Sequence, residues 1–336
     1  MAGRVFLRGI EGEKYELRAE RQQRLQAERV VHSDQRQWHD KNAVGHEDSS
    51  PLSRTKWMAA PQDDPFLTQT VQCHFVLIEP GGCNGGHGHQ NEAAFYIIEG
   101  RGYEIHDGAR YDWSAGDLVV VHADSRHQHF NASAVERALA IVLKPKAVWM
   151  LLGLTQQGKR STVPEGQEEA FGEREDWSRL WTPGVEGLRK VVHSADEPWT
   201  VTRDGRLKWL ARAGMDVRLH GIDVFLQTIE GGSRTAAHWH MADELFYVLR
   251  GRGHTLEWQV EADIDDRYYA RVAKSPRRFD WEAGDVVYVA QNTVHQHAAE
   301  GGDVELVGAR NRLFQLLGYD ATIYPDQAPE RGGGTP

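Results

Sequence analysis

The sequence predicts an all-β protein with two antiparallel barrels in tandem, accompanied by short helical arm and linker segments. The main observation is an internal repeat: residues 86–102 align without gaps with residues 237–253, and residues 113–129 align with residues 281–297. Within both copies, short apolar and β-branched runs alternate with glycine-containing turns, and no long helical pattern interrupts them. A duplicated domain of short strands accounts for both observations.

The first part of the chain, residues 1–68, is predicted to be an arm that precedes the barrels. Residues 13–29 are rich in Glu, Arg, Gln, Leu and Ala, which predicts a charged helix with a thin apolar stripe. The first barrel is assigned to residues 69–146. It opens with an apolar run at residues 71–79 that a Pro-Gly-Gly turn at residues 80–82 ends.

The second part of the chain is divided in the same way. Residues 147–214 contain prolines and several tryptophans and are predicted to be a linker packed between the barrels. The second barrel is assigned to residues 215–318. Residue 87 aligns with residue 238, and residue 113 aligns with residue 281. The spacing between the aligned residues is larger by 17 in the second copy, which therefore contains a 17-residue insertion. The insertion lengthens one hairpin within residues 260–279. Residues 319–336 form a C-terminal tail whose last residues are expected to be disordered.

Composition narrows the class of protein. The chain has 336 residues and a formal net charge of −10, without a cluster of Lys and Arg. Nucleic acids and anionic membranes attract such clusters, so neither is expected as the main partner. The opening residues lack a long apolar core, and eighteen apolar residues never occur in succession. We therefore expect a cytoplasmic protein that acts on small molecules, and the charged arm suggests a homo-oligomer.

The histidine spacing of the first copy predicts a metal site. His87 and His89 are two residues apart, so in a strand both side chains leave the same face. His127 follows 38 residues after His89, and closure of a barrel would bring it to the same interior point. Three imidazoles at one face of an ion leave its other positions open to water or substrate. Open positions are what catalysis at a metal requires.

The second copy repeats the three histidines, as His238, His240 and His295. Here Glu244 follows four residues after His240, where the hairpin can return a carboxylate to the ion. The aligned residue of the first copy is Ala93, so the first cluster is uncharged and leaves more positions open. The neighbouring Glu92 is not counted as a ligand, because strand alternation turns it away from the face of Ala93.

Two further side chains are candidates for catalysis in the first copy. His129 lies two residues beyond the third ligand, on the same strand face, where it can transfer a proton or orient a ligand; His297 is its counterpart. Arg126 is a candidate partner for a substrate anion at the mouth of the pocket, although alternation points it away from His127.

These motifs resemble the cupin superfamily, whose first motif joins a Gly-rich turn to His-x-His and whose second joins Gly-Asp to a distant His. The first copy is similar to gentisate 1,2-dioxygenase and its relatives acting on salicylate and hydroxynaphthoate. Those enzymes also place an apolar residue at the position of Ala93, and they end the second motif as His-x-His-x-Asn, here His127, His129 and Asn131. The resemblance implies ferrous iron, Fe(2+), held by three histidines, and oxygen-dependent opening of an aromatic ring.

The sequence departs from that family at two places. The usual proline of the second motif is replaced by His122 in the first copy and by Ala290 in the second. The second copy also keeps a full ligand set, which the gentisate enzymes generally lack. Its His238, His240 and Glu244 instead resemble the manganese site of oxalate decarboxylases.

Three functions are therefore expected, in order of preference. The first is an Fe(II)-dependent ring-cleaving dioxygenase that uses O2 and an aromatic hydroxy or amino carboxylic acid in the first barrel. The second is an oxalate decarboxylase or oxidase that uses Mn(2+) at the second cluster. The third is a non-catalytic barrel pair that binds a small ligand or a metal. Imidazole also accepts nickel and copper, so the spacing does not choose the ion.

Overall fold

The computed structural model describes residues 18–40, 52–60, 68–154, 163–175 and 187–327. Its α-helices are short: α1 (Arg18–Gln26), α2 (Lys146–Leu151) and α3 (Leu313–Leu316). None of the helices within these ranges is long and apolar enough to cross a membrane. The start of the predicted charged helix and the final residues of the tail lie outside the described residues.

Strands form nearly all of the remaining regular structure, which confirms the all-β prediction. The first half of the chain contributes β1 (Val30–Val31), β2 (His39–Asp40), β3 (Ser53–Ala59), β4 (Gln72–Ile78), β5 (His87–His89), β6 (Ala93–Glu99), β7 (Arg101–His106), β8 (Ala109–Ser114), β9 (Leu118–Val121), β10 (Ser125–Asn131) and β11 (Ala138–Lys144). The second half contributes β12 (Val191–Val192), β13 (Thr200–Thr202), β14 (Gly205–Ala211), β15 (Ile222–Ile229), β16 (His238–His240), β17 (Glu244–Arg250), β18 (Arg252–Ile264), β19 (Tyr268–Val272), β20 (Arg277–Glu282), β21 (Val286–Val289), β22 (Thr293–Ala299) and β23 (Val304–Asn311).

Each barrel consists of a seven-stranded sheet and a smaller sheet. In the first barrel the sheets have the orders β12-β9-β6-β11-β4-β3-β2 and β5-β10-β7-β8. In the second barrel they have the orders β1-β21-β17-β23-β15-β14-β13 and β16-β22-β18-β19, with β20 also pairing β18. The large sheets include strands that precede residues 69 and 215, so both barrels begin earlier than the repeated motifs suggested. The predicted insertion forms the extended end of β18 together with β19.

The large sheets of the two barrels pack against each other through a shared apolar core. Phe75 and Tyr96 of the first barrel belong to the same buried cluster as Leu245, Tyr247 and Tyr288 of the second. The rings of Phe75 and Tyr247 meet edge to face with centroids 5.3 Å apart. Strands β9 and β21 are buried along their whole length, because one face lines a barrel and the other lines this interface. Burial on both faces explains why their sequences are continuous apolar runs rather than alternating ones.

The two barrels also exchange edge strands. Strand β1, from the arm before the first barrel, pairs antiparallel with β21 of the second barrel. Strand β12, from the linker before the second barrel, pairs with β9 of the first. Both strands carry the sequence Val-Val-His-Ser, at residues 30–33 and 191–194. The exchange is therefore part of the duplicated unit, and it covers one edge of each large sheet.

The exchanged strands are held by matching contacts. His32 Nδ1 lies 3.0 Å from Asp285 Oδ1, and His193 Nδ1 lies 3.1 Å from Asp117 Oδ2. Both aspartates belong to the repeated Gly-Asp turns. These turns thus anchor the edge strand that each barrel receives.

Arg29 strengthens the exchange on one side only. It is fully buried, its Nε lies 3.0 Å from Glu257 Oε2, and its guanidinium also donates to the carbonyl oxygen of Arg24 at 2.8 Å. The corresponding residues of the other barrel are Lys190 and His106, which cannot form such a pair. A buried ion pair adds little net stability, but removal of one partner leaves an unpaired charge in the interior.

A reciprocal pair of carboxylates joins the barrels near the candidate sites. The buried Glu92 carboxylate accepts N–H bonds from His220 at 2.8 Å and from Gly221 at 2.8 Å. Asp243, at the aligned position in the second barrel, accepts an N–H bond from Thr70 at 2.8 Å. Glu92 thus binds backbone N–H groups just before β15 of the second barrel, and Asp243 binds one just before β4 of the first. Glu92 therefore has a structural role at the interface, in agreement with its exclusion as a ligand.

We expect Arg29→Met to lower the free energy of unfolding by about 3–5 kcal/mol, because Glu257 would remain buried without its partner. The exposed pair Arg137–Glu99, whose Nε and Oε2 atoms are 2.9 Å apart, supplies a matched control. Arg137→Met should cost less than about 1 kcal/mol. Urea unfolding followed by tryptophan fluorescence measures both, and equal losses would contradict the importance of the buried pair.

Candidate metal centres

The first cluster lies where β5 meets β10 in the small sheet of the first barrel. His87 stands directly opposite His127 in this ladder, and His89 follows on the same face. Ligand atoms of the three imidazoles all lie within 4.8 Å of one another. The centroid of the His127 ring is 4.6 Å from that of the His87 ring and 4.8 Å from that of the His89 ring. The three rings therefore converge on one point inside the barrel.

Backbone contacts orient two of these rings. Nδ1 of His87 lies 2.8 Å from the Gly85 carbonyl oxygen, and Nδ1 of His89 lies 2.6 Å from the Asn91 carbonyl oxygen. When Nδ1 carries the ring proton and donates it to the carbonyl oxygen, Nε2 keeps its lone pair. That lone pair can then bind an ion at the centre of the cluster. Nε2 of His89 and both ring nitrogens of His127 are buried without a hydrogen-bond partner in the described part of the chain. Burial is also the largest cause that lowers the pKa of His89 and His127, so both are neutral donors.

The second cluster has the same construction with an added carboxylate. His238 and His240 lie on β16, and His295 lies opposite His238 on β22. Glu244 Oε1 is 3.4 Å from His240 Nε2, and Glu244 Oε2 is 3.8 Å from His295 Nε2. Burial acts to raise the pKa of Glu244, but electrostatic attraction to His240, a hydrogen bond with His240 and the charge of Arg310 outweigh it, and the pKa falls to about 2. This carboxylate is ionised and faces the imidazoles.

The two clusters differ in charge and in access. The fully buried Ala93 occupies the place of Glu244, so the first cluster has no acidic ligand among the described residues. His87 is half-buried, whereas every member of the second cluster is buried. The C-terminal tail covers the second cluster, because Ile323 exchanges backbone hydrogen bonds with Trp239, and the Tyr324 ring lies 5.9 Å from that of His238. Both donor sets fit a divalent transition ion, and the first is the more open.

His129 and His297 occupy equivalent buried positions beyond the third ligands but have different partners. Nδ1 of His129 lies 3.9 Å from Glu104 Oε2, and its ring lies against Phe95 with centroids 4.1 Å apart. Nδ1 of His297 lies 2.8 Å from Thr255 Oγ1, and burial lowers the pKa of His297 to about 3. A carboxylate can accept and return a proton where a threonine hydroxyl only orients the ring. The first barrel is therefore the better equipped for proton transfer.

Glu104 is the residue of this site that the repeat did not reveal. Its carboxylate is fully buried, burial raises its pKa, and Oε1 lies 3.5 Å from His106 Nδ1. His106 Nε2 in turn lies 3.6 Å from the half-exposed Asp107. These groups lie between His129 and the surface, but Glu104 and His106 form no hydrogen bond with each other in the described part of the chain. The signal in the sequence is the alternation of Glu104 and His106 on β7, which places two polar residues on an inward face.

Arg126 is exposed on the outer face of β10, opposite in direction to His127 and His129. Its backbone N–H donates to Asp107 Oδ1 at 2.9 Å. Its Nη2 lies 3.3 Å from the place that a Cβ atom would take at Gly86, the residue before His87. A contact between Arg126 and a substrate anion stays a prediction.

An apolar cavity lies next to His129, between β4, β6 and β11. It is lined by Val76, Ile78, Phe95, Ile97, Trp113, His129, Ala138, Leu139 and Ala140. Its free space suits about one water molecule, so an aromatic acid does not fit inside it. A substrate would approach the first cluster from the side of His87, its most exposed member.

A third group of potential ligands lies at the surface of the second barrel, formed by His254, Asp280 and Glu300. Arg278 Nη2 is 2.6 Å from Asp280 Oδ1 and 2.7 Å from Glu300 Oε1. The guanidinium already pairs with both carboxylates. We do not assign this group to a metal.

Comparison with known proteins agrees with this architecture. A family model described as "Cupin domain" matches residues 74–143, and one described as "Auxin binding protein" matches residues 173–316. The auxin-binding proteins T85 and T92 of Nicotiana tabacum are 28% and 29% identical to this chain over 116 residues. That region covers 33% of this chain and spans 58% of the length of each relative.

Two kinds of solved structure share the fold over most of the chain. Oxalate decarboxylase of Bacillus subtilis superposes with a TM-score of 0.60 and 14% identity, covering 90% of this chain and 80% of its own. Salicylate 1,2-dioxygenase of Pseudaminobacter salicylatoxidans superposes with a TM-score of 0.60 and 16% identity, covering 86% and 84%. The fold and the two histidine clusters define a two-barrel protein with candidate metal centres. The chain is a bicupin of the cupin superfamily.

We expect the purified chain to bind two divalent transition ions. His127→Ala should remove the first ion and His295→Ala the second, because each change deletes one of three converging imidazoles. His220→Ala, at an exposed histidine, is the matched control and should retain both ions. Metal analysis after dialysis gives the ratio of ions to chains. Full occupancy in either cluster variant would refute that cluster.

We expect Glu244→Gln to weaken divalent-ion affinity at the second centre by at least about tenfold, because an anionic oxygen becomes a neutral amide oxygen. The affinity of the first centre should not change. Competition with a coloured chelator, using His127→Ala and His295→Ala chains to isolate each centre, measures both. An unaltered second affinity would show that Glu244 is not a ligand.

Proposed function

We propose that this bicupin is an Fe(II)-dependent dioxygenase that cleaves the ring of an aromatic hydroxy or amino carboxylic acid in its first barrel. The observation that carries the proposal is the open three-histidine cluster, in which Ala93 replaces the carboxylate of Glu244. Three neutral ligands leave the double charge of an ion uncompensated and about three coordination positions available. Such a centre can hold an anionic substrate through two oxygens and still admit dioxygen.

The residues around the cluster support this chemistry. Ferrous iron, when bound, would supply the one-electron chemistry that dioxygen requires. We propose that His129 takes the proton of a substrate hydroxyl and that Glu104, whose Oε2 lies 3.9 Å from His129 Nδ1, is its acidic partner. Phe95 packs against the His129 ring beside the small apolar cavity, which makes this end of the site apolar.

The second cluster favours a different role. Glu244 reduces the net charge of an ion there and occupies a position, and the tail residues Ile323 and Tyr324 restrict access. We propose that this second centre is structural, or that it exchanges ligands more slowly than the first centre. Cytoplasmic location and assembly as a homo-oligomer stay predictions from the sequence.

The second candidate is a manganese-dependent oxalate decarboxylase or oxidase. The complete set of three histidines and Glu244 favours it, as does the fold shared with Bacillus subtilis oxalate decarboxylase, a protein with Mn(II) centres. Binding without turnover is a third candidate, and the similarity to auxin-binding proteins favours a small ligand such as auxin. The test must therefore distinguish the reacting barrel as well as the reaction.

Anaerobic reconstitution with Fe(II) or Mn(II), followed by oxygen uptake with a panel of hydroxybenzoates, an aminobenzoate and oxalate, distinguishes the three functions. We expect one O2 consumed per aromatic acid with loss of the ring absorbance. His127→Ala should abolish uptake, since it disrupts the first centre, and Glu244→Gln should retain it. Carbon dioxide release from oxalate that requires His295 would establish the second candidate instead. Ligand binding without any turnover would establish the third.

A further inference from the structure

The segment after α3 binds the outer edge of the strand that carries two ligands of the second cluster. Strand β16 is an edge strand of its sheet and pairs with β22 on one side. On the other side, Ile323 exchanges two backbone hydrogen bonds of 2.8 Å with Trp239, the residue between His238 and His240. Residues 319–326, here named the strap, are therefore attached directly to the strand that holds the ligands. Among the described strands, β5 of the first barrel pairs only with β10.

The side chains of the strap rest on the turn between β13 and β14. The Tyr324 hydroxyl donates to Asp204 Oδ2 at 3.0 Å, and the Tyr324 ring lies 5.9 Å from the His238 ring. Arg203 lies over the same tyrosine ring, with Cζ 4.2 Å from the centroid, and pairs with Asp326. The strap is thus held by side chains of this turn as well as by the backbone of β16.

Asp204 links the strap to a candidate ligand. Its Oδ1 lies 3.3 Å from His238 Nδ1, which is also 3.1 Å from the carbonyl oxygen of Ala236. This Oδ1 atom is buried and accepts no hydrogen bond from the described residues. One oxygen of the carboxylate therefore contacts Tyr324, and the other faces the imidazole ring of His238.

The first barrel lacks this carboxylate. Strands β3 and β14 occupy equivalent positions in the two large sheets, and both contain the pair Lys-Trp, at residues 56–57 and 208–209. This alignment sets Leu52 at the position of Asp204. A leucine side chain has neither a charge nor an acceptor for a hydrogen bond. The link between a ligand and an outer segment is therefore a property of the second barrel.

We propose that Asp204 is a positioning residue of the second centre and that it couples docking of the strap to binding of a divalent ion by His238, His240 and His295. An imidazole that coordinates a divalent ion gains positive charge, and a carboxylate beside the ring stabilises that charge and fixes the ring. An Asp204 carboxylate held in this way keeps its second oxygen in place for Tyr324. The inference rests on the proposed function for the role of the second centre as the slower to exchange its ligands.

The coupling is reciprocal: if ion binding favours the docked strap, the docked strap must raise the affinity for the ion by the same factor. Both directions can be measured on the full-length chain without turnover. Zinc serves as the probe ion, because imidazole and carboxylate ligands bind it and it has no redox chemistry of its own.

The first measurement is the zinc affinity of each centre, by competition with a coloured chelator, where the site that His295→Ala removes is the second centre. We expect Asp204→Asn to weaken that site at least about tenfold, because the charge beside His238 is lost. Tyr324→Phe should weaken it at least about fivefold, since the strap loses its bond to the carboxylate. The first centre should keep its affinity in both variants. Tyr319→Phe, at an exposed tyrosine of the same strap, is the matched control and should change neither site.

The second measurement is hydrogen exchange of the strap, which reports docking because the Ile323 N–H donates to the Trp239 carbonyl oxygen. We expect zinc to slow exchange within residues 319–326 at least about fivefold in the wild-type chain. Zinc should have no such effect in His295→Ala, whose second centre is disrupted, and a much smaller effect in Asp204→Asn.

The proposal is overturned if the second centre binds no zinc, if Asp204→Asn and Tyr324→Phe keep the wild-type affinity, or if zinc leaves exchange of the strap unchanged. Equal weakening of both centres by Asp204→Asn would indicate a general loss of structure and would also overturn it. Coupling between zinc and the strap in a chain that gives no oxygen uptake with iron would sustain the inference and reject the dioxygenase.

Discussion

The contact between the two seven-stranded sheets is the constraint on which the rest of the structure depends. Both sheets are apolar on two faces, so neither barrel can expose its outer face without a large loss of hydrophobic burial. The exchanged strands β1 and β12 and the carboxylates of Glu92 and Asp243 fix the relative position of the sheets. The small sheets, which carry the histidines, are left facing away from the interface. Rigid packing on one side of each barrel thus supports a histidine cluster on the other.

The two copies have diverged mainly in the charges of their interiors. The second barrel contains internal ion pairs, between Glu244 and Arg310 and between Arg29 and Glu257. In the first barrel the acidic ligand is absent, and a glutamate, Glu104, faces His129 where the second barrel has Thr255. A barrel that satisfies its own charges is suited to hold an ion firmly. A barrel without an acidic ligand leaves more positions of a bound ion to a ligand from solution.

The repeat made the fold and the histidine clusters predictable from the sequence, because both depend on short-range spacing. Alternation correctly separated Glu92 from Ala93, but it could not show that Glu92 reaches the facing barrel, since that contact joins residues far apart in the chain. The same limitation concealed the strand exchange, whose trace in the sequence is a short match between residues 30–38 and 191–199 that lies outside the histidine motifs.

The exchange of edge strands has a consequence for synthesis of the chain. The first barrel receives β12 only after Val192 has left the ribosome, long after its own last strand, β11, is complete. Strand β1, although made first, waits for β21 near the end of the chain. A chain that ends before β12 therefore keeps the edge of β9 open, and this edge can pair with a second nascent chain. The first barrel can close this edge while the second is still being translated, so the two barrels complete their sheets one after the other.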